Sequence, residues 1–502
     1  MTSLAQHLLT YILFIPAIGA LILLFLPKEQ KQLLRWFSFI VSLIPLGLSI
    51  LLWLGYHNGL TGFQFEEKAQ WFALINSYYH LGIDGISLTM VLLTTLLTPI
   101  ALLASFSIQD RVKPYFILFL LLETGMLGVF MALDLLLFFV FWEIGLVPMY
   151  FLISQWGGEN RNYASLKFIL YTMAGSLGLL LSIQLIGVVC GSFDLIEVFE
   201  RWPLVSGVLL GVPVATVKAV AFWAFVIAFA IKVPVWPFHT WLPDAHTEAP
   251  TPGSMILAGV LLKLGAYGFL RLVLPLFPHE AARFAGWLAV LATLAIIMGA
   301  FAAYGQDDFK KLVAYSSINH MGFVVLGIAV AAAAATTQNA TIAVNGAVLQ
   351  MFNHGLSSAG MFFLVGVIYE RTHTRKLSEF GGLFPLVPVY GGLLILVSMA
   401  SLGLPGLNGF VSEFLVVRGS WPVFPVLTAL SMIGLLMTGI YILKGIKLVL
   451  HGPLNTHWQG HLTDINIREV IVLIPLIVLI VLIGVYPAWI LNVINQAVSL
   501  LY

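Results

Sequence analysis

The sequence has 502 residues, of which 60% are hydrophobic and only 9% are charged. Soluble domains carry roughly 25% Asp, Glu, Lys and Arg, so a soluble globular protein is excluded. The 23 basic and 22 acidic residues nearly cancel, which excludes a polybasic nucleic-acid binder. A lone cysteine, Cys190, leaves no disulfide framework, no Cys-based zinc site and no iron–sulfur ligation.

A helix crossing the hydrocarbon needs roughly 20 apolar residues. Cutting the chain at clusters of Pro, Gly and charge predicts spans near 8–26, 33–55, 83–106, 114–131, 133–154, 166–190, 217–241 and 253–275. Six more follow near 284–303, 311–334, 341–369, 387–417, 424–450 and 468–498, which makes fourteen. The first stretch is one of a series running to the end of the chain, so it reads as a span and not as a removed signal peptide. The expected fold is an all-α integral membrane protein. Its two longest connections, 56–82 and 191–216, are too short for a folded domain and carry aromatic and charged residues suited to a headgroup layer.

Lysine and arginine divide unequally between the two sides. Fourteen fall on one set of alternate connections, six on the other, and Lys232, Lys263 and Lys444 lie within spans. The positive-inside rule therefore puts both termini outside. Lys444 is one turn from the inner end of its span and can snorkel. Five other ionisable residues sit deep in apolar segments: Glu123, Glu143, Lys232, Lys263 and Glu413. Each costs roughly 2.5–3.5 kcal/mol at a helix centre, so they must pair or line a hydrated path. Asp134, in the turn before span 5, is expected to be solvated or to cap that helix.

Glu143 and Lys232 are expected to form an ion pair. Separating them would tend to release the lysine's proton, which is the behaviour of a switchable proton carrier. Span 7 meets Pro234 and Pro237 just after Lys232, and span 12 contains 403–409, GLPGLNG, just before Glu413. Proline removes backbone donors, so both helices should break beside a membrane charge. Spans 7 and 12 are five apart and run in opposite directions, which suggests inverted units of helices 4–8 and 9–13, with Lys232 corresponding to Glu413. The chain then divides into 1–110 (helices 1–3), 111–275 (first unit), 276–450 (second unit) and 451–502 (helix 14). His320 and His354 also fall at depth, and a histidine's pKa suits a relay between lysines. Asp244, His246 and Glu248 form a loop cluster better explained by solvated capping than by a metal, since no fixed ligand spacing is present.

The run 232–254, KVPVWPFHTWLPDAHTEAPTPGS, and its continuation MILAGVLLKLGAYGFLR at 255–271 resemble the proton-translocating membrane subunits of complex I and the related Mrp-type antiporters. So do FFVFWEIGLVPMYFLI at 138–153, LVAYSSINHMGF at 312–323 and GLPGLNGFVSEF at 403–414. An acidic residue in broken span 12 resembles the M-type, or chain 4, branch of that family, whose L- and N-type relatives carry lysine there. The segments Leu81 to Gly85 and Trp156 to Gly158 are similar to cyanobacterial and plastid D-type proteins of NAD(P)H–plastoquinone oxidoreductase.

The resemblance implies a lateral proton path at the membrane midplane. Glu143 pairs with Lys232 and responds to charge arriving from a neighbouring subunit. Lys232 passes a proton through water to Lys263, and His320 and His354 bridge toward Glu413, the release group. Glu123 matches a second acidic position of the family. The implied protein is a non-redox subunit of a proton-translocating NAD(P)H- or ferredoxin-quinone oxidoreductase, with no cofactor or metal of its own. Its implied partners are the lipid bilayer and L-type and N-type neighbours, with quinone bound elsewhere. The implied location is an energy-converting membrane, a cyanobacterial thylakoid ahead of a bacterial plasma membrane, with both termini lumenal or periplasmic. Three other readings are a free-standing Na⁺/H⁺ exchanger of the Mrp type, a membrane cytochrome with His320 and His354 as haem ligands, and a passive membrane spacer.

Overall fold

The computed structural model describes residues 6–498 apart from 61, 210 and 461. Among the described residues, thirteen helices are long and apolar enough to cross a membrane. Spans 1–3 are Leu8–Phe25, Lys31–Gly55 and Gly85–Ser107. Spans 4–8 are Val112–Met131, Leu135–Trp156, Arg161–Cys190, Val214–Lys232 and Thr251–Leu276. Spans 9–11 are Pro278–Tyr304, Phe309–Ala333 and Gln338–Thr372. Span 12 is split into Pro388–Leu402 and Asn408–Ser420, while spans 13 and 14 are Pro425–Leu450 and Ile467–Val485. Counting the split crossing, the chain makes fourteen passages, as the hydropathy pattern predicts.

Burial orders these helices. The most apolar windows of spans 8 and 11 are 100% buried, whereas those of spans 2, 13 and 14 are 33% buried. Two helices surrounded on every side by protein are the ones able to carry polar groups away from lipid. Short polar side chains open several spans by accepting hydrogen bonds from free backbone amides. Asp84 accepts from Ser87 N, Asp308 from Lys310 N and Lys311 N, and Asn466 forms a capping box with Glu469. Asp134 caps span 5 through Leu136 N and Leu137 N and is fully buried, not solvated, because Ser77 Oγ and Tyr78 N also donate to it.

Four of the expected spans are interrupted. Span 5 divides at Gly145, where a side chain on Gly125 of span 4 would come within 2.5 Å of Gly145 N. Span 7 ends at Lys232, and after 233–240 the chain resumes as the short helix Trp241–Glu248. The carbonyls freed by this break are not orphaned: Ile231 O accepts from Trp241 Nε1 at 2.8 Å and Ala230 O from Val235 N at 2.8 Å. Span 12 breaks over 403–407, and span 14 is followed, after Tyr486 and Pro487, by the separate helix Ala488–Val498. Span 8 is continuous but contains π-helical turns at Leu257–Leu261 and Phe269–Val273.

The long connections hold structure that helical periodicity does not reveal. Strands Gln64–Phe72 and Ser77–Ile83 pair antiparallel, turning at Asn76 in the left-handed conformation with φ of 51°. A second, short hairpin pairs Val208–Leu209 with Val212–Pro213. The first hairpin fastens three connections at one end of the bundle. Leu133 N donates to His80 O and Leu195 N to Leu133 O, while Asp194 receives Lys68 Nζ and lies 2.8 Å from His80 Nδ1. Glu67 reaches from the hairpin to cap span 1, accepting from Leu9 N at 2.7 Å.

Candidate functional site

The buried charges occupy two stretches of different character. In the first, Glu143 stands in the last turn of the helix that ends at Gly145. It is half-buried, and its Oε1 atom has no hydrogen-bond partner among the described residues. Lys232 is buried at the broken end of span 7, with its ammonium 5.0 Å from the centre of the Trp142 ring. The expected Glu143–Lys232 ion pair is not formed; Lys232 faces the Trp142 indole instead. A desolvated cation–π contact contributes about 2 kcal/mol. The indole is itself fixed, because Trp142 Nε1 donates to Ser176 Oγ at 3.0 Å and the ring packs edge-on to Phe229. Glu123 lies fully buried in span 4, with neither carboxyl oxygen bonded.

The second stretch is more closely connected. Gly265 lets span 8 press against span 7, since a side chain there would lie 3.0 Å from Lys232 Cβ. Two residues earlier, fully buried Lys263 donates to the Ala258 carbonyl, within the π-helical turn, and its Nζ lies 2.8 Å from His354 Nδ1. The His354 and His320 ring centres are 5.8 Å apart. His320 Nδ1 lies 2.7 Å from Glu413 Oε1, and its Nε2 lies 3.5 Å from the Tyr441 hydroxyl. Lys263, His354, His320 and Glu413 thus line up across spans 8, 11, 10 and 12 as two hydrogen-bonded pairs, Lys263–His354 and His320–Glu413, with a gap between the imidazoles where His354 Nε2 has no partner among the described residues. Within each pair the contact joins groups able to exchange a proton.

The structure separates other residues that the sequence groups together. Asp244 pairs with Lys167 at 2.8 Å, Glu248 accepts from Asn160 N at 3.0 Å, and His246 is fully buried with its ring stacked 4.3 Å from Phe362. The three do not converge, and two of them are buried where solvated caps are expected. Lys232 and Glu413 are not equivalent about their breaks, because Lys232 ends the first half of its crossing and Glu413 lies in the second half. Four further polar residues enter the buried region: Tyr441, His246, Lys310 and Gln350, the last of which donates to Glu413. Gln350 stands one helical turn before His354, a spacing that puts both on one face. Lys310 counts as a loop charge by sequence, but its Nζ is buried and donates to Ala249 O at 2.5 Å.

Residues 132–440 match the family described as NADH:quinone oxidoreductase/Mrp antiporter, transmembrane. The chain is 39% identical to NADH-quinone oxidoreductase subunit M of Rhodobacter capsulatus, across 98% of its own length and 96% of that protein's. It is 41% identical to NAD(P)H-quinone oxidoreductase chain 4 1 of Synechococcus elongatus, across 97% of its length and 90% of that relative's. Its fold matches a chain of respiratory complex I from Thermus thermophilus with a TM-score of 0.85, at 27% identity, covering 98% of this chain and 99% of that one. With the family match spanning more than half the chain and these relatives nearly all of it, the protein belongs to the NADH:quinone oxidoreductase/Mrp antiporter transmembrane family.

Proposed function

We propose that this chain is the M-type, or chain 4, proton-pumping membrane subunit of a complex I-type NAD(P)H- or ferredoxin-quinone oxidoreductase. It moves protons and carries no redox centre of its own; electrons and quinone are handled elsewhere in the complex. Its partners are the L-type and N-type antiporter-like subunits on either side, within the lipid of an energy-converting membrane. The thylakoid and the bacterial plasma membrane both suit it, because the α-proteobacterial and cyanobacterial relatives are equally similar, at 39% and 41% identity. Both termini face the lumenal or periplasmic side. The fold divides functionally into helices 1–3, the inverted units 4–8 and 9–13, and helix 14.

The observation that carries this reading is the buried succession Lys263–His354–His320–Glu413, whose members meet at 2.8 and 2.7 Å with 5.8 Å between the imidazole rings. Glu143, Glu123 and Lys232 form the input, and a charge arriving beside half-buried Glu143 alters the field on Lys232. Lys232 then loads Lys263 through water, and the imidazoles deliver the proton to Glu413. End-to-end coverage by relatives named as quinone oxidoreductase subunits favours this over a free-standing exchanger. In sealed vesicles holding the assembled complex, Glu143→Gln and Lys232→Ala should lower the number of protons moved per electron. An unchanged ratio in both variants would sink the assignment.

A further inference from the structure

Glu413 is held by one edge only. Its Oε1 atom faces His320 Nδ1 at 2.7 Å and accepts a second hydrogen bond, of 3.1 Å, from Gln350 Nε2. Its Oε2 atom has no partner among the described residues, although Glu413 is only 4% exposed. That free oxygen lies beside the break in span 12: a side chain on Gly403 would come within 3.3 Å of it. A cavity of about 280 Å³ opens there, lined by Glu413 together with Gly403, Pro405, Phe410, Phe414 and Met432.

The Gln350 amide cannot turn freely. Ser412 Oγ donates to Gln350 Oε1 at 2.5 Å, which aims the amide nitrogen at the carboxylate. Asn353 Nδ2 secures Ser412 in turn, donating to its Oγ at 3.1 Å and to Asn408 O at 2.7 Å. A reversed amide would set its carbonyl oxygen against an acceptor-only carboxylate. The close approach that makes this possible comes from Gly346, one turn before Gln350, where a side chain would lie 2.6 Å from Val416 N.

We infer that Gln350 is a positioning residue that gives proton transfer through Glu413 a direction, an inference resting on the relay reading above. The His320 imidazolium gives its Nδ1 proton to the near oxygen of Glu413; an N–H bond breaks, an O–H bond forms, and both groups become neutral. The carboxyl then turns about Cγ–Cδ and exchanges its two oxygens. The Gln350 N–H bonds better to a bare carbonyl oxygen than to a hydroxyl, so it selects the orientation with the O–H toward the cavity. There the O–H bond breaks to a water molecule, and the restored carboxylate presents a bare oxygen to His320 again.

The test uses the assembled complex in sealed vesicles, with proton pumping and infrared difference spectra read together. The Glu413 carboxyl band is identified by its loss in Glu413→Gln, and wild-type pumping by that variant would remove the relay reading itself. Gln350→Leu deletes the donor from a side chain of similar shape; a hydrogen bond between neutral groups changes such an equilibrium by roughly twofold to tenfold. The expected result is pumping slower by roughly twofold to tenfold, with the Glu413 carboxyl band shifted to higher frequency. An unmoved band overturns the positioning role, whether or not pumping falls. If Gln350→Leu does not assemble, Gln350→His, which keeps an N–H donor, carries the test. A near-wild-type band with restored pumping supports the role, and a shifted band or absent pumping overturns it.

Discussion

The two stretches of buried charge solve the same problem in opposite ways. From Lys263 to Glu413 the ionisable groups are hydrogen-bonded in two pairs whose imidazoles lie 5.8 Å apart, and Gln350 and Tyr441 supply further polar contacts. From Glu123 to Lys232 they are left apart: among the described residues Glu123 has no hydrogen-bond partner and Glu143 Oε1 has none, and Lys232 rests on an indole face. Hydrogen-bonded pairs hold their charges at fixed positions, as the proposed proton path requires. An unpaired stretch holds charges in a low dielectric with nothing nearby to screen them, so a distant charge acts on them strongly. Under the relay proposed above, the difference suits sensing in the first half and conduction in the second, with Lys263 at the junction.

The largest effect is expected at that junction. Lys263→Met keeps the span apolar and removes the group that touches His354, so the two stretches are disconnected. Proton pumping by this subunit should fall on the order of a hundredfold or more, as for loss of a positioned proton donor. Pumping that persists near wild-type rates in sealed vesicles would mean that the paired stretch is not the conduit.

A paired charge off the path should do the reverse, damaging stability and sparing transport. Arg271 Nη2 meets Asp84 Oδ2 at 2.5 Å, and both side chains are buried between spans 3 and 8. Arg271→Leu strands the Asp84 carboxylate, and losing one member of a buried ion pair costs about 3–5 kcal/mol. The melting temperature of the purified complex should drop clearly while protons per electron stay constant. A changed ratio at unchanged stability would place Arg271 on the path and blur the distinction between the two kinds of charge.

The legibility of these regions in the sequence follows from what each depends on. Span number, the breaks at Lys232 and before Glu413, and the depth of His320 and His354 are set by local apolarity and proline, which periodicity reads directly. The Glu143–Lys232 pair is not formed, and residue type and depth do not reveal that Lys232 faces an indole; Trp142 adjoins Glu143 in sequence, but its ring direction depends on Ser176 and Phe229. The strand hairpin at 64–83 was invisible because its pairing is fixed by contacts with 132–134 and 192–194, far along the chain. Lys310 read as a loop charge for a similar reason: its burial depends on the Ala249 carbonyl of another connection. Gln350 carries a local signal, its one-turn spacing from His354, but the identity of its acceptor is a tertiary fact.

At the hairpin end, Asp194 gives a smaller, pH-dependent effect. Burial alone would raise its carboxyl, but hydrogen bonds and charge from His80 and Lys68 outweigh burial and lower it from 3.8 to about 2. A group depressed on folding contributes stability that is complete above the unfolded value and is lost as pH falls through the folded one. The contribution, about 2 kcal/mol, should therefore be intact above pH 4 and decline toward pH 2. Asp194→Asn should lower the melting temperature at neutral pH and flatten the acid limb between those values. A parallel limb in wild type and variant would show that the fastening does not depend on this charge.

The smallest effect tests the unpaired stretch directly. If the Trp142 face stabilises the Lys232 cation, replacements should rank by ring strength, with Tyr and Phe losing less than Leu. The contact is worth between about 0.5 and 2 kcal/mol, so Trp142→Leu should slow pumping by roughly threefold to thirtyfold, with Tyr and Phe in between. Packing alone would give the same order, because Tyr and Phe are nearer to Trp in volume than Leu is, so the series includes ring-fluorinated tryptophans at 142, which keep the volume and weaken the ring face. A series graded through them says that Lys232 rests on the ring between cycles and leaves it when charge arrives at Glu143. Equal losses in all three variants would mean that the indole acts only through its bond to Ser176, and the first half would then need another explanation for how an unpaired lysine is held.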